Sequence, residues 1–176
     1  GRFFSALLQK AKKLFGEKIS NPFIRIATLA VPLAILLFAI HSGRYTGLGT
    51  NLISASFAGE TIYGYDWIFK LLFTIFTLAI GFQGGEVTPL FSIGASLGII
   101  LGLLLGIPPV ICAALGYAAV FGSATNTLFA PILIGLEVFG SQNIIPLVLV
   151  CIIAYLVNGN RSIYGAQQKA LCRFEE

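Results

Sequence analysis

The chain has 176 residues, of which 57% are hydrophobic and 10% charged, with a formal charge of +4 and a mean hydropathy of +0.91. A soluble domain carries roughly 25% charged residues, so this composition excludes one and specifies an integral membrane protein. The positive surplus lies mostly at the two ends, as expected for segments flanking apolar spans on the cytoplasmic side, and requires no nucleic-acid partner.

Residues 1–16 are amphipathic. Phe3, Phe4, Leu7, Leu8, Ala11 and Phe15 form one stripe, with Gln9, Lys10, Lys12 and Lys13 mostly off it. The segment fits a surface helix or the cytoplasmic end of a span. The chain lacks methionine, shows no signal peptide and opens on residues that read as the inside of a helix, so a piece of a longer chain is expected. Asn21-Pro22 starts the next helix, over 22–41, which is apolar after Arg25 and about long enough to cross a bilayer at roughly 1.5 Å per residue. Pro32 should kink it. Arg2, Lys10, Lys12, Lys13, Lys18 and Arg25 precede this span, which puts residues 1–25 in the cytoplasm and His41-Ser42-Gly43-Arg44 outside.

The glycine-punctuated stretch 45–57 holds one short helix, too short to span and too apolar for a free loop; a re-entrant helix fits it. A helix follows over 67–81, with Trp67 at the interface and Lys70 snorkelling to the headgroups. The break Gly81-Phe82-Gln83-Gly84-Gly85-Glu86-Val87-Thr88-Pro89 comes next. Gly84 and Gly85 permit positive φ and close backbone approach. Thr88-Pro89 reads as N-cap and first residue of a helix running to about Gly106. Its unpaired N–H groups would aim toward Glu86 and Val87 and make an anion site; a plain turn between two packed helices has the same spacing. Gly94, Gly98, Gly102 and Gly106 give this helix one smooth face for a close neighbour.

Pro108-Pro109 ends that helix, and apolar segments follow over 110–122, 131–139 and 144–157. They are separated by Gly122–Thr127 and by a turn at 140–143. After Asn158-Gly159-Asn160-Arg161, a last amphipathic helix is expected from Ser162, carrying Tyr164, Lys169 and Arg173. Cys112, Cys151 and Cys172 show no metal spacing, and the first two read as small core residues. No metal or cofactor is expected. Many of these segments fall below the roughly 20 residues of a perpendicular span. Short helices started at Pro after Gly- or Asn-containing breaks are how transporters bring helix ends to mid-membrane.

With that pattern, the chain resembles the second half of CLC chloride channels and proton-coupled antiporters. Gly84-Gly85-Glu86-Val87-Thr88-Pro89, followed by Ile93-Gly94-Ala95 and Gly98, is similar to the family's GGxFxP…GxxxG signature. Gly49-Thr50-Asn51-Leu52-Ile53 resembles its short GxNLI helix, and Gly116 to Glu137 its G-x-A-A/L…AP…E segment. Ser162-Ile163-Tyr164 falls where the family has its anion-coordinating tyrosine. Val87 replaces the usual Phe, and GGEVTPLF resembles the fluoride-exporting branch.

The resemblance implies an all-α integral membrane fold of broken, tilted helices, with residues 1–176 forming the second half of the inverted repeat. It implies a transporter and not an enzyme, moving fluoride or chloride against protons in a cell (inner) membrane, with a cytoplasmic C-terminus. The anion would meet the amides of Glu86 and Val87, the Thr88 hydroxyl and the Tyr164 hydroxyl, with Gly84, Gly85, Pro89 and Asn51 shaping the helix breaks. The Glu86 side chain has two readings, a functional intramembrane carboxylate or an acceptor for nearby backbone N–H groups. Glu137 is expected to bond a neighbouring segment. A homodimer through residues 131–157 is implied, with Ile132, Leu136, Ile145, Leu149 and Ile152 as candidate contacts. The family's gating glutamate motif GxEGP is not in these residues, so the half site would need an N-terminal half. A chloride channel or exchanger, and a non-transporting membrane assembly subunit, are the alternatives.

Overall fold

In a computed structural model the described residues, 1–165 and 167, form eight α-helices and no strands. They are α1 (Arg2–Lys18), α2 (Pro22–Ala39), α3 (Thr50–Ala58), α4 (Asp66–Ile80), α5 (Val87–Leu105), α6 (Pro109–Thr125), α7 (Phe129–Phe139) and α8 (Ile144–Val157), with a 3-10 turn at His41–Gly43. The all-helical class agrees with the sequence. Glycine, proline and asparagine set most boundaries. Asn21 caps α2, its side chain accepting from the N–H of Phe23 at 3.0 Å, with Pro22 at the first helical position. Gly106 (φ 68°) closes α5, and Asn126 (φ 54°) closes α6 while the Thr127 N–H donates to the Gly122 carbonyl.

The pair α5–α6 is the spine of the fold. Gly94 and Gly98 bring α5 so close to α6 that a Cβ at either would fall on the backbone of Gly116 or Cys112. Gly106, the fourth rung of the ladder, touches nothing and serves the turn instead. Helices α1 and α4 pack around this pair, and Phe4, Leu8, Leu71, Ile75, Leu90, Phe91, Tyr117 and Phe121 share one core. A smaller core joins Ala118 of α6 to Leu147 and Cys151 of α8. The outer faces stay apolar. In α2 no residue is buried, Phe23 being 82% and Phe38 74% exposed. Lipid or further protein can cover such a face, whereas water cannot do so cheaply. Helices α2 and α5 have the length and hydropathy to cross a bilayer.

Several sequence expectations change. Helix α5 begins at Val87, so Thr88 is its second residue rather than its cap, and Glu86 stands at the N-cap position. Lys70 does not snorkel; it is 1% exposed, because backbone carbonyls next to α3 hold its ammonium. Glu137 is exposed and has no hydrogen bond or ion pair among the described residues. Ile132 and Leu136 turn inward against the α8 core, whereas Ile145 (72%) and Leu149 (54%) remain exposed. From Ser162 to Gly165 the chain is not helical. Lys169, Cys172 and Arg173 lie outside the described residues.

Candidate functional site

The break between α4 and α5 is made by Gly81 rather than by the paired glycines. Gly81 takes φ 115° at the end of α4, a conformation costly to a residue with a Cβ. Neither Gly84 nor Gly85 has a positive φ, and a Cβ on Gly84 would meet nothing within 4 Å. Arg25 reaches across from α2 and its Nε donates to the Ile80 carbonyl at 2.7 Å. A cation at that position suits the negative end of the helix dipole. The Phe82 N–H still returns to the Thr77 carbonyl. Beyond it, the backbone N–H groups of Gln83, Gly84 and Gly85 have no hydrogen-bond partner among the described residues. Together with the first turn of α5 they form a run of free amide donors, the arrangement that attracts an anion.

Val87 packs against the main core and Pro89 is buried, which fixes the start of α5. The Thr88 hydroxyl, half-buried, has no partner among the described residues. The Glu86 carboxylate does not accept from backbone N–H groups, as one expectation had it. It faces the Lys12 ammonium at 3.5 Å, a pair in which Glu86 is 19% and Lys12 45% exposed.

Tyr164 belongs to a different part of the chain, held by three contacts. The Ile163 N–H donates to the Ala124 carbonyl at 2.9 Å, Gln9 Nε2 donates to the Ser162 carbonyl at 2.8 Å, and the Tyr164 N–H donates to Ser162 Oγ at 3.1 Å. Ile163 sits in the same core as Leu90 and Phe91 of α5. The Tyr164 ring is 47% exposed, and its hydroxyl has no partner among the described residues. Gln9 and Lys12 lie one turn apart on α1, so a single helix holds the tyrosine segment and the Glu86 end of α5.

Two cavities flank the break. One, of about 290 Å³, is lined by Lys12, Arg25, Gly81, Gln83, Gly84 and Glu86. The other, of about 310 Å³, runs along α4 past Lys70, Thr74 and Thr77 to Gly84, Gly85 and Pro89. Leu78, Phe82, Gln83 and Gly84 line both, so this short segment is the wall between them.

At the far end of α4 sits a polar cluster that the sequence reading overlooked. Asp66, fully buried, accepts from Arg44 at 2.8 Å, from the Tyr45 hydroxyl at 2.7 Å and from the Tyr63 N–H at 2.9 Å. Burial first, and then Asp66, push the Tyr45 phenol well above its ordinary value, so it remains a donor. Asn51 Nδ2 donates to the Arg44 carbonyl at 2.8 Å, tying the start of α3 to this cluster rather than to the break before α5. Gly49 (φ 81°) lets the chain pass between Lys70 and Ser92, where a Cβ would lie 2.6 Å from Lys70 Cε and Ser92 Oγ. A charged residue inside an apolar run was the available signal for Lys70; nothing local marked Asp66 or Gln9. Among the described residues, no group of three or more His, Cys, Asp or Glu could hold a metal.

Comparison with known proteins gives consistent results. The model of the family "Voltage gated chloride channel" matches residues 1–159. A "Chloride/fluoride channel protein" of Pseudomonas syringae pv. tomato is 43% identical over 96% of this chain and 38% of its own length. An uncharacterised protein of Methanocaldococcus jannaschii is 27% identical over 93% of this chain and 44% of its own. Among solved structures, the crystal structure of a CLC-type fluoride/proton antiporter superposes with a TM-score of 0.91 at 53% identity, over 94% of this chain and 42% of that one. The chain thus spans about two fifths of the length of these relatives.

Proposed function

This chain belongs to the voltage gated chloride channel (CLC) family, and we propose that it is the C-terminal half of a transmembrane halide transporter that exchanges fluoride for protons. The observation that carries this reading is the run of donors where α5 begins, the amides at Gln83–Gly85 and the Thr88 hydroxyl, which have no partner among the described residues. Fluoride is small and strongly hydrated, so a site that accepts it must replace water with donors. Amide and hydroxyl dipoles do this without a full cation that would trap the ion. The Tyr164 hydroxyl, without a partner among the described residues and on a segment anchored to the same helix as Glu86, supports the same reading. The solved relative at 53% identity is itself a fluoride/proton antiporter.

In this reading the protein sits in a cell (inner) membrane with α1 and the start of α2 on the cytoplasmic side, as the positive charge there favours. Two copies pair through the exposed apolar faces of α7 and α8, including Leu133, Ile145 and Ile153. An N-terminal half carries the proton-coupling carboxylate.

Proteoliposomes of the intact transporter, followed simultaneously for fluoride efflux and proton uptake, test this. Coupled exchange of fluoride is expected, and both Thr88→Val and Tyr164→Ala should weaken fluoride binding. Unchanged binding in both variants would overturn the assignment. The curated relative's name includes "channel", which supports the second reading; halide flux that prefers chloride, or that moves without protons, would establish it.

A further inference from the structure

The turn after α8 opens on Asn158, a polar side chain only 1% exposed. Burying an amide is costly unless its donors and acceptor are met, and here they are. Its Nδ2 donates to the Arg161 carbonyl and, at 3.2 Å, to Asn126 Oδ1, while its Oδ1 accepts from Ser123 Oγ at 3.4 Å. The first of these bonds closes a turn in which Gly159 (φ 64°) and Asn160 (φ 60°) both lie in the left-handed region. The other two tie that turn to the end of α6, where Asn126 itself is held at φ 54°. Two more bonds continue the attachment. Ser162 Oγ donates to the Thr125 carbonyl at 3.4 Å, and the Ile163 N–H donates to that of Ala124 at 2.9 Å. The chain from 158 to 163 is thus laid in reverse order along the end of α6, and Tyr164 is the next residue out.

From Ser162 to Gly165 the chain is not helical, so no helix ladder sets the direction in which the tyrosine leaves. A binding constellation works only when held within about 0.5 Å of its productive geometry. We propose that Asn158 is a positioning residue for the Tyr164 hydroxyl: by locking the turn onto α6, it fixes where the phenol is presented to the anion. The proposal rests on the reading in which Tyr164 contacts the halide, and adds to it a buried amide that acts on the anion only through that hydroxyl. Asn158 carries no charge, so its influence is geometric rather than a field at the ion.

The experiment measures KM and kcat for fluoride in the reconstituted intact transporter carrying Asn158→Ala, Asn126→Gly or Tyr164→Phe, and each of the first two combined with Tyr164→Phe. Tyr164→Phe should raise KM about tenfold or more, as for loss of a hydrogen bond to a charged partner. Asn158→Ala is expected to raise KM about threefold to tenfold, with kcat changed less, and to change it less than about twofold once the hydroxyl is gone. Asn126→Gly suits the left-handed backbone at that position and removes only the acceptor that Asn158 uses there. It should show the same pattern at smaller size, and it decides the matter should Asn158→Ala fail to fold. A purely structural role would change KM by the same factor in both backgrounds, or not at all; either result overturns the proposal and leaves Tyr164 as an anion contact. If Tyr164→Phe itself leaves KM unchanged, the proposal falls together with the tyrosine's place in the halide reading.

Discussion

Gly94 of α5 and Gly116 of α6 face each other so closely that a Cβ on either would overlap the other's carbonyl. Backbone meets backbone here, and no flexible side chain can move aside. Gly94→Ala and Gly116→Ala should therefore each destabilise the fold by about 3 kcal/mol or more, at the upper end of overpacking costs. Gly106→Ala meets open space and strains only a left-handed turn (φ 68°), at about 1–2 kcal/mol. Thermal unfolding in detergent should rank the three in that order; a larger loss at Gly106 would contradict the packing.

Asp66→Asn leaves Arg44 beside an uncharged amide in a fully buried position. Breaking a buried pair from one side costs about 3–5 kcal/mol. Tyr45→Phe removes one charge-assisted hydrogen bond of that network and should cost less, about 1.5–3 kcal/mol. Denaturant unfolding of single variants and the double variant would also expose their coupling; additive losses would contradict a shared network.

Gln9→Ala should loosen the tyrosine segment without disturbing α5. The expected readout is faster hydrogen exchange at the Ile163 amide, which is bonded to Ala124, with unchanged protection in Ile93–Ile99. Equal protection at Ile163 would mean that Gln9 does not hold this segment.

Lys12→Ala tests the weakest of these links. Its contact with Glu86 is 3.5 Å long and nearly half exposed on the lysine side, so the loss in stability should stay below about 1 kcal/mol. A greater loss, measured by thermal unfolding at moderate salt, would show the pair to be more shielded than its exposure implies.

Much of this was legible in the sequence because breakers and apolar runs act locally. The bounds of α8 fall at 144–157 as expected, and α5 ends next to Gly106, where its apolar run was expected to stop. The start of α5 was misread because Thr-Pro offers a good cap in isolation, while Val87 is drawn into helix by burial against the core. Lys70 was misread for a related reason. Snorkelling is the default for a lysine near a helix start, but here the carbonyls of residues 45–47, more than 20 positions earlier, come within bonding distance. The same applies to the tyrosine segment: its motif was visible, but its attachment through Gln9 and Ala124 is a long-range contact that no local pattern encodes.

The partition shared by the two cavities, Leu78 with Phe82–Gly84, has an electrical corollary. If these two cavities open as aqueous recesses to opposite sides of the bilayer, the voltage across it falls almost entirely over this thin stretch of chain. An ion crossing it would then feel nearly the full drop, about 2.3 kcal/mol per unit charge at 100 mV, within the width of a few peptide groups. On the transport reading proposed above, turnover should accordingly respond to applied potential most steeply at this step, and substitutions at Phe82 or Gln83 should alter that steepness more than those along α4.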